Sequence, residues 1–327
     1  MGGVTIPIAS TVVAVPVTGI PTLSIVPDAI GFAILKFSLE SVHTLSFPLV
    51  MNIAVIICYM GKMPWYFAYF AHTCRYNPAV DFYIVTDNNI DADLPANVKP
   101  VYMTMRELCL RASGKLGFEI NISSPYKLCD FKPAYGMIFN DILEGYDFWG
   151  HGDIDVVFGN IRSFISDDLL EAHDLICVRH DFLTGYFQLF RNNEKMNTLF
   201  MRSKDYKRVM QHEQHFCFDE TNFKFDEFAE GKNPDEVPSD IESMMHVVRR
   251  AQQGNYIRAF FDFMVVEGIP GNIKWEKGEL VYRKKFEILL YHMIHFKKKY
   301  HPKKGPRRVP DTFTISKNRI YHKYHAI

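Results

Sequence analysis

The segment from Gly145 to Ile161, GYDFWGHGDIDVVFGNI, constrains this chain more than any other. An apolar, aromatic run ends in Gly150-His151-Gly152 and then releases two carboxylates, Asp153 and Asp155, one residue apart. On an extended backbone both face one side, about 6–7 Å apart, with Ile154 facing the other. Two hard oxygen ligands at that spacing can share a divalent cation that keeps its remaining positions for water and phosphate oxygens. The glycines allow a turn and the close approach of a bulky ligand. A D-x-D in a solvated loop is commonplace. One released from the end of a buried strand reads as a metal–diphosphate site.

With 327 residues, 48% of them hydrophobic, the chain can bury a sizeable core in one large α/β domain or two smaller ones. Its formal net charge of zero gives no general drive toward nucleic acid, and no recognition motif suggests one. Charge is uneven all the same. Acidic residues dominate from Glu213 to Glu242, and seven Lys and Arg lie between Lys297 and Arg308. That basic run reads either as a solvated C-terminal tail over 301–327 or as a contact for phosphate or anionic lipid head groups. Six scattered cysteines without a C-x-x-C pair suit buried thiols in a reducing compartment, and neither a disulfide framework nor a zinc site.

Met1 to Pro27 carries no charged residue, but Pro7, Pro16, Pro21 and Pro27 interrupt any helix of the ~20 residues a bilayer requires. A basic region of the kind that opens a signal peptide is missing too. Residues 1–50 therefore read as a leader or extension outside the fold, with a membrane-associated N-terminus as the alternative. The functional domain is expected over 51–300.

From Met51 the pattern changes. Asn52–Tyr59 is a continuous apolar strand followed by a turn at Met60-Gly61-Lys62, and Pro64 opens a helical pattern to Tyr76. Asp81–Asp87 and Val98–Met103 read as strands, and Thr104 caps a helix to about Ser113. That order signals a parallel sheet built by right-handed crossovers. Further on, Lys127–Leu143 and Met196–Met210 read as helices, Asp174–Arg179 and Gly185–Arg191 as strands, and Lys285–Phe296 as a late strand. Thr221–Asp240 is a polar loop of a length that usually serves a function.

The segments IICYMGKMPWYF, FYIVTDN, KLCDFKPAYG, FWGHGDIDVVFGNI, TGYFQLFRNN and HMIHFKK together resemble a GT-A-type nucleotide-sugar glycosyltransferase. Within that superfamily the chain is most similar to a largely uncharacterised bacterial family apparently concerned with polysaccharide biosynthesis. The resemblance covers Met51 to about Tyr300. It implies an α/β fold with a mixed, mainly parallel Rossmann-type sheet flanked by helices, and a hexosyltransferase-like activity. It also implies a manganese or magnesium cofactor, a nucleoside diphosphate sugar donor and a saccharide or lipid-linked acceptor. A cytoplasmic location follows, with peripheral contact at the inner face of a membrane left open for the basic C-terminus. A non-catalytic nucleotide-sugar-binding or scaffold protein of a polysaccharide assembly complex is the alternative.

Glycosyl transfer builds negative charge on a departing diphosphate, so the useful catalyst is a cation held where that charge appears. Asp155 is expected as a direct ligand, and Asp153 as a ligand through water or a partner of the ribose and donor sugar. A late histidine completes the set as neutral imidazole. His292 and His295 lie three apart on one expected strand, so only one can serve; His295 is chosen because Lys297 and Lys298 follow it. Those lysines would neutralise diphosphate oxygens. Gly61 and Lys62 lie at the carboxyl end of the first strand, where open α/β sheets bind ligands. Asp87 would accept bonds from a nucleobase or ribose, or simply form the turn before Asn88-Asn89. Lys127, Asp130 and Lys132 share a helical turn and would reach the donor, unless they form a surface salt pair. Asp219 and Glu220 are the candidate base for the attacking hydroxyl.

Overall fold

The computed structural model describes residues 50–90, 93–262, 264–306 and 308–323. The expected extension over 1–50 therefore lies, Val50 apart, outside the described residues. Strand β1 (Ile53–Cys58) is the axis of the fold, and its IAVIIC run is apolar on both faces because both faces are covered. Beside it lie β2 (Val80–Thr86), β3 (Val98–Tyr102) and β4 (Phe148–Gly152). Next in the chain come β5 (Val156–Phe158), β6 (Leu175–Cys177), β7 (Phe187–Arg191) and β8 (Ala259–Phe261). The central sheet runs β3-β2-β1-β4-β7-β6-β8. Its pairs are parallel except where β7 runs against β4 and β6. The expected mixed, mainly parallel sheet flanked by helices is present.

Alternation along β1 divides the core. Ala54 and Ile56 pack with Trp149, Phe190 and the helix Met244–Gln253, while Ile53, Val55 and Ile57 pack with Phe148, Leu189 and helix α1 (Phe67–Cys74). Helix α2 (Met105–Leu116) follows β3 and starts on a reciprocal cap: Thr104 Oγ1 accepts from the Glu107 amide, and Glu107 accepts from the Thr104 amide. Gly117, at φ +77°, ends it.

Two further sheets lie outside the expected pattern. Strands β9 (Val265–Glu267) and β5 flank β13 (Leu290–His292). The other sheet is antiparallel, in the order β12-β11-β10-β14-β15. Its strands are β10 (Ile273–Glu276), β11 (Glu279–Tyr282), β12 (Phe286–Glu287), β14 (Thr312–Ile315) and β15 (Ile320–His322). Residues 301–327, read from sequence as a basic tail, thus carry two paired strands. Phe313 is buried and stacks on Trp275 at 5.0 Å, so the apolar TFTI segment that follows the basic run supports this pairing. Other boundaries shift as well. The expected helix 127–143 breaks into a 3-10 segment, Pro125–Ala134, a single α-helical turn, Tyr135–Ile138, and further turns, since Pro133 cannot donate to a continuous α-helical ladder. The expected late strand 285–296 breaks after His292, and a short helix, Phe296–Lys299, follows. Among the described residues, all six cysteines are free, and no helix is long and apolar enough to cross a membrane.

Candidate functional site

The chain leaves the central sheet at Gly152, the last residue of β4, and enters the small sheet at Val156, the first residue of β5. Asp153-Ile154-Asp155 is the bend between the two, not the straight strand expected from sequence. The bend draws the carboxylates inward: Asp153, Asp155 and His292 each offer one ligand atom within 4.8 Å of the others. His292 arrives by sheet register. It pairs with Val156 across β13 and β5 and with Glu267 across β13 and β9, and the Met293 amide donates to the Asp155 carbonyl. His295 instead lies exposed at the head of the short helix Phe296–Lys299. The sequence-based choice of His295 is corrected to His292, since the strand ends there and its register aims that ring.

Asp155 is 3% exposed and meets two cations. Lys297 Nζ lies 2.7 Å and His292 Nε2 3.4 Å from its Oδ2, neither aligned as a hydrogen bond. Burial opposes ionisation of Asp155, but His292 and Lys297 outweigh it and hold the carboxyl below its usual range. The same balance acts on His292. Burial pulls its proton affinity down, yet Asp155 and Glu267, the latter 3.1 Å from Nδ1, push it up to about 9. Glu267 is anchored in turn by Arg179, and Tyr186 packs its ring 4.2 Å from that of His292. Sequence reasoning missed Glu267, Arg179 and Tyr186. The β9–β13 register brings Glu267 beside His292, while Arg179 and Tyr186 reach the site from the segments after β6 and before β7, so nothing local marks the three as a group.

On the other flank Lys132 joins distant segments. Its Nζ donates to Asp153 Oδ1 at 2.7 Å and to the Gly185 carbonyl at 2.9 Å, and lies 3.8 Å from Asp219 Oδ2. Burial works against the charge, but Asp153 and Asp219 outweigh it and keep the amine well above its ordinary range. Asp219 is buried, and Glu220 accepts from the Gly185 amide at 2.6 Å. Both carboxyls titrate above their ordinary values, chiefly through burial; Lys132 pulls each down, and mutual repulsion pushes Asp219 further up. Gly185 is required here. A Cβ on it would lie 2.5 Å from Asp219 Oδ2 and 3.2 Å from Lys132 Nζ. The sequence candidates Asp153, Asp155, Lys132, Asp219 and Glu220 thus converge, although about 66 residues separate Asp153 from Asp219 in the chain.

Other candidates fall elsewhere. Lys127 and Asp130 are wholly buried, with a 2.8 Å ion pair. Asp130 accepts the Phe216 and Phe218 amides, and Lys127 donates to the Val209 and Gln214 carbonyls. Both are corrected from donor contacts to structural groups, because no atom of either side chain reaches solvent. At the carboxyl end of β1, Gly61 turns at φ +95° and its amide donates to Asp87 Oδ1 at 2.6 Å. Asp87 fastens the ends of β1 and β2 together, its side chain exposed, with Lys62 exposed alongside. Lys298 is exposed on the short helix; among the described residues, Lys297 is the late lysine that reaches an aspartate.

A family model matches residues 55–324, and the chain belongs to that family, DUF6625, a family of unknown function. No curated protein matches. Among solved structures, one similar to the chain is a galactosyltransferase, LgtC, in complex with donor and acceptor sugar analogs. It is 12% identical, with 76% of this chain and 89% of that one covered and a TM-score of 0.36. A second is an active-site mutant of LgtC, 11% identical, covering 73% of this chain and 86% of that one, with a TM-score of 0.33.

Proposed function

We propose that the chain is a metal-dependent glycosyltransferase of hexosyltransferase type. It would move a sugar from a nucleoside diphosphate sugar to a saccharide or lipid-linked acceptor, in surface polysaccharide biosynthesis. The observation that carries this is the convergence of Asp153, Asp155 and His292 at the carboxyl end of a parallel strand, with Asp219 and Glu220 beside them.

The residues fit a divalent ion. Two carboxylates and an imidazole suit manganese, provided that His292 gives up its proton as the ion binds. Asp155 Oδ2 is buried without an aligned hydrogen-bond donor, and Asp153 is open enough, at 36% side-chain exposure, to share its ligand with a bound diphosphate. The alternative group Asp130, His215 and Asp219 fits less well, because Asp130 already accepts from two backbone amides and Lys127. Once bound, the ion would neutralise charge developing on the leaving diphosphate. Lys297 would add a fixed cation on the same side. The Gly61 turn and Lys62 would receive the nucleotide diphosphate, with the free oxygen of Asp87 available to a ribose or base hydroxyl. Lys132 holds Asp153 in place and faces Asp219, keeping the metal and acceptor sides in register. Asp219 or Glu220, in its ionised form, would take the proton of the attacking hydroxyl. Contact of the basic segment around Lys303 with an inner membrane face belongs to the same reading.

Calorimetry with manganese and a nucleoside diphosphate tests the reading on three proteins. His292→Ala should weaken metal-supported binding at least a hundredfold, as loss of a direct ligand does, while His295→Ala leaves it within twofold. Manganese-independent nucleotide binding by the wild type would leave the scaffold alternative standing instead.

A further inference from the structure

We infer that Tyr126, His215 and Phe223 form a saccharide-stacking subsite that seats the acceptor's sugar ring beside Asp219 and Glu220, an inference that rests on the transferase reading above. Tyr126 is 68% exposed and Phe223 54% exposed, so neither ring contributes much to the core. They are not isolated. The His215 ring lies 4.6 Å from Tyr126 and 5.5 Å from Phe223, edge to face with both, which makes one aromatic rim. Burial, the largest influence, lowers the proton affinity of His215, so the rim is uncharged at neutral pH.

Phe223 is held in an uncommon backbone conformation. Its φ is +63°, and Asn222 and Cys217 have φ +55° and +53° in the same loop. A bulky side chain in the left-handed region is strained and persists only where its surroundings over-determine it. They do so here. Asp130 takes the Phe216 and Phe218 amides, Asn222 Nδ2 donates to the Phe216 carbonyl, and the Met244 and Met245 amides donate to Phe218 and Glu220. The loop that is forced into shape carries the rim and the two candidate base carboxylates together. Strain gathered at such a loop marks a binding function better than a folding one.

The ring geometry selects the occupant. A pyranose has a flat face of C–H groups that lies on an aromatic ring while its hydroxyls stay in water. A diphosphate would need cations, and Lys127 and Lys132 behind the rim are buried and already paired. In the sheet order β4 separates β1, with its Gly61 turn, from β7, which follows Gly185. The nucleotide end therefore belongs to the β1 side and the rim to the acceptor side.

The full-length protein would be titrated with cellotetraose, chitotetraose, maltotetraose and xylotetraose, using saturation-transfer NMR and calorimetry. At least one should bind the wild type. Tyr126→Leu and Phe223→Gly should each weaken it about tenfold, while Tyr126→Trp retains it. Phe223→Gly removes the ring and relieves the backbone, so its melting temperature should not fall. Failure of all four sugars on the wild type, or wild-type affinity in the Leu and Gly variants, overturns the inference. So does a concentration-dependent dimer that the variants dissolve, or a loss of manganese-supported UDP and GDP binding in them, which would put the nucleotide on the rim. Wild-type protein that binds a tetrasaccharide but neither nucleotide would sink the transferase reading and leave the subsite intact.

Discussion

Two lysine–aspartate pairs grow from the same 3-10 segment, Pro125–Ala134, and they do opposite things. Lys127 and Asp130 face inward at 0% side-chain exposure and spend every remaining polar atom on backbone groups of 209–218. Lys132 is also buried, but its partner Asp153 stays 36% exposed and belongs to the candidate metal group. The first pair closes a loop over the core; the second couples a loop to open solvent. The same two residue types can thus serve folding or chemistry, and the difference lies in which segments their side chains meet, 209–218 for Lys127 and Asp130 and Asp153 with Gly185 for Lys132. Burial opposes the charge on both lysines, but the balance differs. It pulls the Lys127 amine down from its usual value, whereas Asp153 and Asp219 carry Lys132 above its own.

The largest effect should come from the inward pair. Asp130→Ala leaves Lys127 without its counter-charge and the Phe216 and Phe218 amides without an acceptor. That should cost about 3–5 kcal/mol by urea denaturation, as breaking a buried pair does. A loss below about 1 kcal/mol would mean the pair is not structural. The companion substitution Asp153→Asn should cost less, since Asp153 is partly exposed and Lys132 keeps the Gly185 carbonyl and the nearby Asp219.

Gly185→Ala sharpens the comparison from the other side. Its methyl group would fall 2.5 Å from Asp219 Oδ2, and it would push that carboxylate and Lys132 out of register. Turnover with a nucleotide sugar should drop on the order of a hundredfold, the usual consequence of about 1 Å of misplacement. The far-ultraviolet circular dichroism should not change. Unaltered turnover would remove Asp219 from the acceptor side.

The smallest effect is on acid stability. His215, 3.6 Å from Asp130, has its proton affinity lowered by burial, an effect that Asp130 opposes and Lys127 and Lys132 reinforce. A histidine with a depressed folded value stabilises the fold fully above its unfolded value, and that stability is lost as pH falls. The wild type should therefore weaken below about pH 6.5, by at most about 1.4 kcal/mol per pH unit from this group. Denaturation midpoints of His215→Gln should decline less over the same range; parallel curves would refute the assignment.

What the sequence determined by itself was local and periodic. The apolar run Ile53–Cys58, the strand before Asp153, the Thr104 cap and the Gly61 turn are all legible, because each depends on neighbouring residues and on the chain's own periodicity. The carboxylates at the strand end were legible for the same reason, and Asp219-Glu220 stood out as an acidic pair after an apolar run. Tertiary structure decided what depends on register and direction. His292 rather than His295 faces Asp155, because β13 pairs with β5 and ends at that residue. Lys127 and Asp130 turn inward while Lys132 turns toward Asp153, because Pro133 tightens the segment into 3-10 turns. The TFTI segment after the basic run joins a sheet because Trp275 offers it a surface. Pairing partners well separated in the chain leave no periodic trace in either segment, so only the packed chain can select among them.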